Sequence, residues 1–243
     1  MKRLWLLFAC AALAGLAVLF LLGRRGPHQE ALQVRELATR GLAEHLARSF
    51  AGRRTLVVSN PFTQQRNLPR QMEQMENAGL RGLKQGFGSK VVLAAVAFPE
   101  LKAEAKANPR AVFIDPETTT PLSYLFADDA FDKLARQHAG CDLIVSLIGL
   151  PANLQRVQCW QDPDGPKFAL LLPDLRLIGG RQSVRRAMQR GKLIACVLAK
   201  PGAPETAPAA ADFAAEFEKR FVLVTPENVD QAMGSYPQLF PAN

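Results

Sequence analysis

Polar side chains that follow short aliphatic runs are the residues of this chain best placed to do chemistry. The densest group is the segment 113–121, FIDPETTTP, in which the carboxylates Asp115 and Glu117 precede three successive threonines. Carboxylate and hydroxyl oxygens grouped in this way can coordinate a cation or bind a small polar ligand. The same side chains also cap helices and satisfy the backbone groups of turns, so both interpretations stay open. The full set of candidate ligand-binding residues is Asn60, Thr63, Asp115, Glu117, Thr118, Thr119, Asp174 and Thr225.

A second candidate site combines glycines with arginines. Gly179 and Gly180 follow an apolar stretch and precede a predicted helix, where backbone N–H groups can cradle an anion. Arg181 and Arg185, with Arg186 and Arg190 further along, add positive charge to that helix. The pattern fits an anion site or a surface for an acidic partner or lipid head groups; it also fits a solvated basic face.

The sequence lacks the common catalytic motifs. It contains no GxSxG elbow, no P-loop lysine motif and no HExxH, and its glycines do not form a dinucleotide-binding fingerprint. None of the histidines, His28, His45 and His138, falls at a predicted strand end, and the cysteines lack the CxxC spacing of zinc sites. No cofactor or metal is therefore predicted. A carboxylate- or metal-dependent enzyme with its site at the Asp115–Thr120 loop is the alternative.

The elements that must position these residues are indicated by a recurring pattern of an aliphatic run, a proline and a helical stretch. Proline cannot donate to a strand ladder, so prolines just beyond apolar runs indicate strand ends. Seven such runs predict about seven strands: Thr55–Ser59, Val91–Phe98, Ala111–Ile114, Leu143–Ile148, Phe168–Leu172, Leu193–Leu198 and Phe221–Val224.

The runs are continuously apolar instead of alternating with polar residues. Strands with that pattern are covered on both faces, which is typical of parallel sheets with helices in between. The predicted fold class is therefore α/β, a three-layer, mostly parallel, doubly wound sheet. In such sheets ligands bind beyond the carboxyl ends of the strands, where the candidate ligand-binding residues are expected to lie.

An N-terminal hydrophobic segment precedes this domain. Residues 4–22 contain no charged side chain and are long enough, as a helix, to span a hydrocarbon core. We predict a membrane anchor at 1–26, with a cleaved signal peptide as the alternative. An amphipathic connecting helix is predicted at 27–52, and a single Rossmann-like domain at 53–243. A short tail followed by one span favours an extracytoplasmic location for that domain.

Composition restricts the partners. The formal net charge is +8, which suits an anionic lipid surface, a nucleic acid or a phosphorylated ligand, and equally a basic solvated surface. Nucleic acid is disfavoured, because no stripe of interleaved aromatic and basic residues accompanies the charge. The predicted partners are the membrane, through residues 4–22, a small polar ligand, and a protein of an envelope assembly.

The portion from Thr55 to Pro151 resembles one lobe of a type I periplasmic solute-binding protein. The similarity lies in an opening strand LVVSNPF, a long helix, a second strand VVLAAVAF, and the segment CDLIVSLIGLP at 141–151. In that family two lobes enclose a ligand, and the resemblance implies the lobe fold and one edge of a binding site. We therefore predict a membrane-anchored, non-catalytic binding or interaction module of the cell envelope.

Overall fold

The computed structural model describes residues 26–65, 68–204, 206–208 and 212–242. The predicted membrane anchor at 4–22 lies outside these residues. Within them, none of the helices combines the length and the apolar character that a membrane crossing requires.

A single six-stranded sheet forms the centre of the described chain. Its strands stand in the order β2-β1-β3-β4-β5-β6. All neighbouring pairs are parallel except the last, in which β6 runs antiparallel to β5. The predicted mostly parallel sheet is thus confirmed, with six strands instead of seven. The strands are β1 (Arg54–Val58), β2 (Val92–Ala97), β3 (Leu143–Ser146), β4 (Lys167–Leu171), β5 (Leu193–Ala199) and β6 (Phe221–Val224).

Helices cover both faces of the sheet, because alternate strand residues point into separate apolar clusters. One face carries α1 (Pro27–Ser49), α2 (Arg70–Phe87) and α7 (Phe213–Arg220). The other face carries five shorter helices: α3 (Ala103–Ala107), α4 (Ala130–Gln137), α5 (Gln158–Gln161), α6 (Gly180–Gln189) and α8 (Val229–Ser235).

The prediction of a strand at Ala111–Ile114 was wrong. Asn108 Oδ1 accepts a hydrogen bond from the backbone N–H of Arg110, which starts a 3-10 turn at Pro109–Ala111. After this turn the chain forms an exposed loop, in which the Phe113 side chain is 79% exposed. Because the segment lies between Pro109 and Pro116, too few residues remain to form a ladder.

The threonine and proline at Thr120-Pro121 are typical of a helix start, but the helical pattern that follows them is interrupted. A 3-10 turn covers Pro121–Tyr124, and Phe126 then forms an isolated antiparallel bridge with Leu101. The backbone N–H of Ala127 donates to Glu100 O at 2.8 Å, which holds this stretch extended until α4 begins at Ala130. Tertiary pairing therefore overrides the local helical pattern.

The long helix α1 is part of the core. Leu42 and Leu46 are fully buried in the same cluster as Val145 of β3 and Ala169 of β4. It crosses α2 at very short range: a Cβ atom added at Gly82 would lie 2.1 Å from Thr39 Oγ1. Backbones this close require residues without side chains at the crossing.

Candidate functional site

The best-placed site is at the carboxyl edge of the sheet, next to the crevice between β1 and β3. The chain leaves β1 through α2, on one face, to reach β2, whereas the connections into β3 and β4 run through helices on the other face. Neighbouring strands whose connections depart to opposite faces leave a crevice between them, which is where open α/β sheets bind ligands.

A cavity of about 220 Å³ lies beside this crevice, at the carboxyl ends of β3 and β4. One wall comes from α1 and α2 and another from the loop that ends in Thr119 and Thr120. The floor is formed by residues at the ends of β3 and β4. The lining includes Arg35, Glu76, Thr119, Thr120, Leu147 and Leu172.

A buried ion pair connects four segments at the cavity wall. Arg35 Nη2 of α1 lies 3.1 Å from Glu76 Oε1 of α2, with side chains 17% and 10% exposed. Ser59, just after β1, donates from Oγ to Glu76 Oε2 at 2.7 Å. Arg35 also donates to the carbonyl oxygen of Leu147, just after β3. The pair thus fixes both helices to both strand ends, and losing either partner would leave an uncompensated buried charge.

Thr119 and Thr120 form the wall of the cavity that we call the threonine wall. It is held by hydrogen bonds, except at the Thr119 hydroxyl. Thr120 is buried, and its Oγ1 accepts from Ser123 Oγ at 3.0 Å. Gly149, at φ +84°, approaches Thr120 closely where the chain turns after β3. Thr119 is exposed and lines the cavity, and its hydroxyl makes no hydrogen bond within the described part of the chain. It is therefore available to a ligand.

Leu172 brings backbone strain to the cavity floor. It has φ +46°, the left-handed region, and among the described residues other than glycine no other φ is positive. This conformation is unfavourable for leucine because its Cβ crowds the backbone. Its side chain is 36% exposed and lines the cavity. Strained backbone at a cavity is characteristic of binding sites.

The predicted residues Asp115, Glu117, Thr118 and Asp174 are brought together around Arg176. The guanidinium contacts Asp174 at 2.8 Å, Glu117 at 3.1 Å and Asp115 at 3.4 Å. Thr118 Oγ1 donates to Asp174 Oδ2 at 2.8 Å. These contacts fasten the threonine-bearing loop to the turn after β4, so the loop is positioned by the cluster.

The electrostatic balance of the cluster is negative. Three carboxylates face one guanidinium, which leaves two negative charges unmatched. Burial acts to raise the pKa of Asp174, but hydrogen bonds from Arg176 and Thr118 outweigh it and lower that pKa. Burial, together with Asp115 and Asp174, raises the pKa of Tyr124, whose phenol stays protonated. Anionic ligands are therefore disfavoured near this cluster, which lies at the rim of the cavity.

The carboxylates of the Asp115–Thr120 loop already have a cation in Arg176. Within the described ranges, no group of three or more His, Cys, Asp or Glu side chains has a geometry suited to a metal ion. The contacts with Arg176 give these carboxylates a structural role, because they fasten the loop to the turn after β4.

The other predicted ligand-binding residues behave differently. Asn60 Oδ1 accepts from the backbone N–H of Phe62, and Thr63 Oγ1 donates to Asn60 O, so both satisfy the turn after β1. Thr225 requires a correction. Because β6 is antiparallel, its carboxyl end points to the opposite edge of the sheet, and Thr225 lies away from the cavity.

The predicted anion or partner surface consists of Gly179, Gly180, Arg181 and Arg185. These residues mainly make contacts within the protein itself. Gly179 and Gly180, at φ +98° and +77°, turn the chain from a 3-10 helix at Leu175–Ile178 into α6. Arg185 Nε lies 2.6 Å from Asp230 of α8. Arg181 donates to the carbonyl oxygen of Met233 and, through its backbone, to Pro241 O. These two arginines therefore attach α6 to the C-terminal segment.

A larger cavity of about 540 Å³ lies at the opposite edge of the sheet, beside Cys141 and Lys167. Its most buried carboxylate, Asp132, accepts from the backbone N–H of Cys159 at 2.7 Å and of Gln158 at 3.1 Å, and so caps α5. Burial and then Asp132 raise the pKa of Cys159 to about 12, so the thiol is unreactive at neutral pH. Asp132 and Cys159 therefore have structural roles in this cavity. The cavity lies at the edge of the sheet where the parallel strands begin.

Sequence reasoning missed Arg35, Glu76, Ser59, Leu172 and Arg176. A signal existed for Glu76, because it lies four residues after Met72, within the apolar stripe of α2. A charged residue on such a stripe must find a partner on folding. For Leu172 no local signal exists, since its conformation results from where β4 ends.

No protein-family model matches this chain, and no curated protein sequence matches it. Solved structures with a similar fold include a carbohydrate transporter protein from Acidothermus cellulolyticus 11B in complex with myo-inositol (TM-score 0.45, 11% identity, 85% of this chain and 62% of that one). Others are an arabinose-binding protein from Geobacillus stearothermophilus (0.43, 12%, 81% and 62%), and a sugar transport substrate-binding protein from Bordetella parapertussis 12822 (0.45, 14%, 84% and 61%).

The chain spans less than two thirds of the length of these proteins. The comparison thus finds sugar-binding proteins of transporters among the similar structures, as the resemblance in the sequence implied, at identities of 11–14% and TM-scores of 0.43–0.45.

Proposed function

We propose that this chain is a non-catalytic binding module that takes a small, uncharged polar ligand at the carboxyl ends of β3 and β4. The observation that carries the proposal is the cavity of about 220 Å³ lined by the Arg35–Glu76 pair and by Thr119. It is smaller than the ~300–1,000 Å³ of sites for drug-sized ligands, so the ligand is small. A neutral polyol suits the site, because hydroxyl groups can donate to Glu76 and accept from Arg35 or Thr119.

Charge supports a neutral ligand over an anion. The only arginine in the cavity wall, within the described residues, is already paired with Glu76. The nearby rim around Arg176 carries excess negative charge. An anion would therefore meet repulsion and no free cation.

The proposal is tested by calorimetric titration of the chain with five neutral polyols: myo-inositol, arabinose, D-allose, glucose and galactose. We expect saturable binding of at least one. The variant Thr119→Val, which replaces a hydroxyl by a methyl group, should weaken it by about tenfold. Thr206→Val changes another exposed threonine, outside the cavity lining, and should bind as the unmodified chain does. Absence of saturable binding for all five, or equal affinity in the two variants, contradicts the proposal.

We further propose that residues 4–22 anchor the module in a membrane, with residues 27–243 on the extracytoplasmic side of the cell envelope. The support is the uncharged sequence of that segment and its length. The test is fractionation: the full chain should remain in membranes washed with alkaline carbonate, and a chain beginning at Gly26 should be released. Release of the full chain, or its recovery without residues 1–25, would contradict the anchor.

A further inference from the structure

Two further arginines of α6 do not attach the helix to the C-terminal segment. Arg186 and Arg190 lie one turn apart on the neighbouring face of the helix from Arg181 and Arg185. Both are exposed, and neither has a carboxylate partner among the described residues. Arg186 Nη2 donates to Ser183 Oγ at 3.2 Å, which orients its guanidinium.

Both arginines line one cleft between α5 and α6, with a volume of about 540 Å³. Its apolar surface includes Trp160, Ile178 and Ala187. The cleft lies within the usual volume range of small-molecule sites, of about 300–1,000 Å³, and combines an apolar wall with a few convergent polar groups, as such sites do.

The polar groups of the cleft are nearly all hydrogen-bond donors or amides. Gln155 and Gln161 line it alongside the arginines, and no Asp or Glu of the described ranges does. The ammonium of Lys192, at the same cleft, is directed to the carbonyl oxygens of Cys159, Asp162 and Pro166 and so serves the protein itself. The arginines are thus the charges that remain for a ligand.

Two guanidinium groups four residues apart on a helix repel each other unless an anion lies between them. Guanidinium groups match the geometry of phosphate oxygens through paired N–H donors. We propose that this cleft binds a small phosphate monoester, its phosphate held by Arg186 and Arg190 and its apolar or aromatic group lying against Ala187 and the edge of Trp160. The site is separate from the strand-end cavity and does not depend on the function proposed for that cavity.

The competing explanation is that Arg186 and Arg190 only complement the dipole at the C-terminal end of α6. To separate the two, the full chain in detergent is titrated with phenyl phosphate and with inorganic phosphate at constant ionic strength. We expect saturable binding of phenyl phosphate, about tenfold tighter than that of inorganic phosphate. A Trp5→Phe variant leaves Trp160 as the only tryptophan of the chain. Its fluorescence emission should change on addition of phenyl phosphate and follow the same saturation curve as the titration.

The double variant R186Q/R190Q should weaken phenyl phosphate by at least about tenfold. The matched control is R48Q/R70Q, which removes the same charge from exposed positions of α1 and α2 on the other face of the sheet. Circular dichroism should show both variants folded, since all four side chains are exposed. The proposal is overturned if both variants bind equally, if inorganic phosphate binds as tightly as phenyl phosphate, or if neither binds saturably.

Discussion

Leu172 shows how a single residue can carry strain into a binding cavity. Its positive φ is required because the chain must turn sharply where β4 ends, directly below the threonine wall. The neighbouring residue Leu171 is buried in the core and cannot shift to relieve it. The strain is therefore held by the packing of the strand.

This strain predicts an inverted order of stability for two substitutions of Leu172. Both Leu172→Ala and Leu172→Gly remove the side chain, but only glycine adopts φ +46° without a steric penalty. We expect the glycine variant to be more stable than the alanine variant by about 1 kcal/mol, measured by urea unfolding. At an unstrained position the order is reversed, so an alanine variant of equal or greater stability would show that the backbone is relaxed there.

The lowered pKa of Asp174 predicts how the free energy of unfolding depends on pH. Its pKa in the folded chain is below the ordinary value of 3.8, so its stabilising contribution is complete above about pH 4 and disappears as the pH falls through the lowered pKa. Asp174→Asn should lower the free energy of unfolding at pH 7 by about 1–3 kcal/mol. The difference from the unmodified chain should shrink as the pH falls below about 4, as measured by urea unfolding at several pH values. A difference that stays constant with pH would contradict this role.

Among the elements, the α1–α2 pair is the one most sensitive to side-chain size. Gly82 and Gly86 lie on one stripe of α2, facing the backbone of Glu36 and Arg40 in α1. The crossing brings Arg35 and Glu76 together, so the geometry of the cavity wall depends on it. The glycines therefore act on the site through helix spacing.

The crossing predicts opposite effects for two glycine-to-alanine changes. A methyl group at Gly82 would lie 2.3 Å from the carbonyl oxygen of Glu36, so Gly82→Ala must push the helices apart and should cost about 1–3 kcal/mol. Gly234, in α8, has nothing within 4 Å of an added Cβ, and Gly234→Ala should gain up to about 1 kcal/mol from helix propensity. Thermal unfolding of both variants measures the difference. Stabilisation by Gly82→Ala would mean that the helices are less closely packed.

At the scale of the whole molecule, α1 completes the three-layer fold. Its fully buried Leu42 and Leu46 share one apolar cluster with Val145, Ala169 and Ala195 of the sheet. Without α1 this face would expose a large apolar surface, and such surfaces cause aggregation.

Truncation tests this role of α1. A chain beginning at Gly26 should unfold cooperatively in urea, whereas one beginning at Gly52 should aggregate or bind a hydrophobic dye strongly. The physical reason is that the loss of α1 exposes one whole face of the central strands. Cooperative unfolding of the shorter chain, with a stability close to that of the longer one, would show that α1 is only an appendage.

The sequence by itself determined the fold class, because the relevant information is local. Aliphatic runs such as LIVS at Leu143–Ser146 are apolar at nearly every position, so these strands had to be covered on both faces. The prolines after the runs marked the strand ends closely enough to place Asp174 near the carboxyl edge, whereas Thr118, Thr119 and Thr120 follow a predicted strand that does not form. The run at Ala111–Ile114 failed because the same local signal does not say whether a partner strand is within reach.

Only the tertiary structure decided the direction of β6, and with it the position of Thr225, since strand direction depends on how α7 returns the chain to the sheet. It also decided the site's main contacts. Arg35 and Glu76 are 41 residues apart, and their pairing follows from the close crossing of α1 and α2. Glu117, a partner of Arg176, comes from a loop 59 residues away. Contacts at such separations depend on how the layers pack, and the spacing of residues along the chain does not record that.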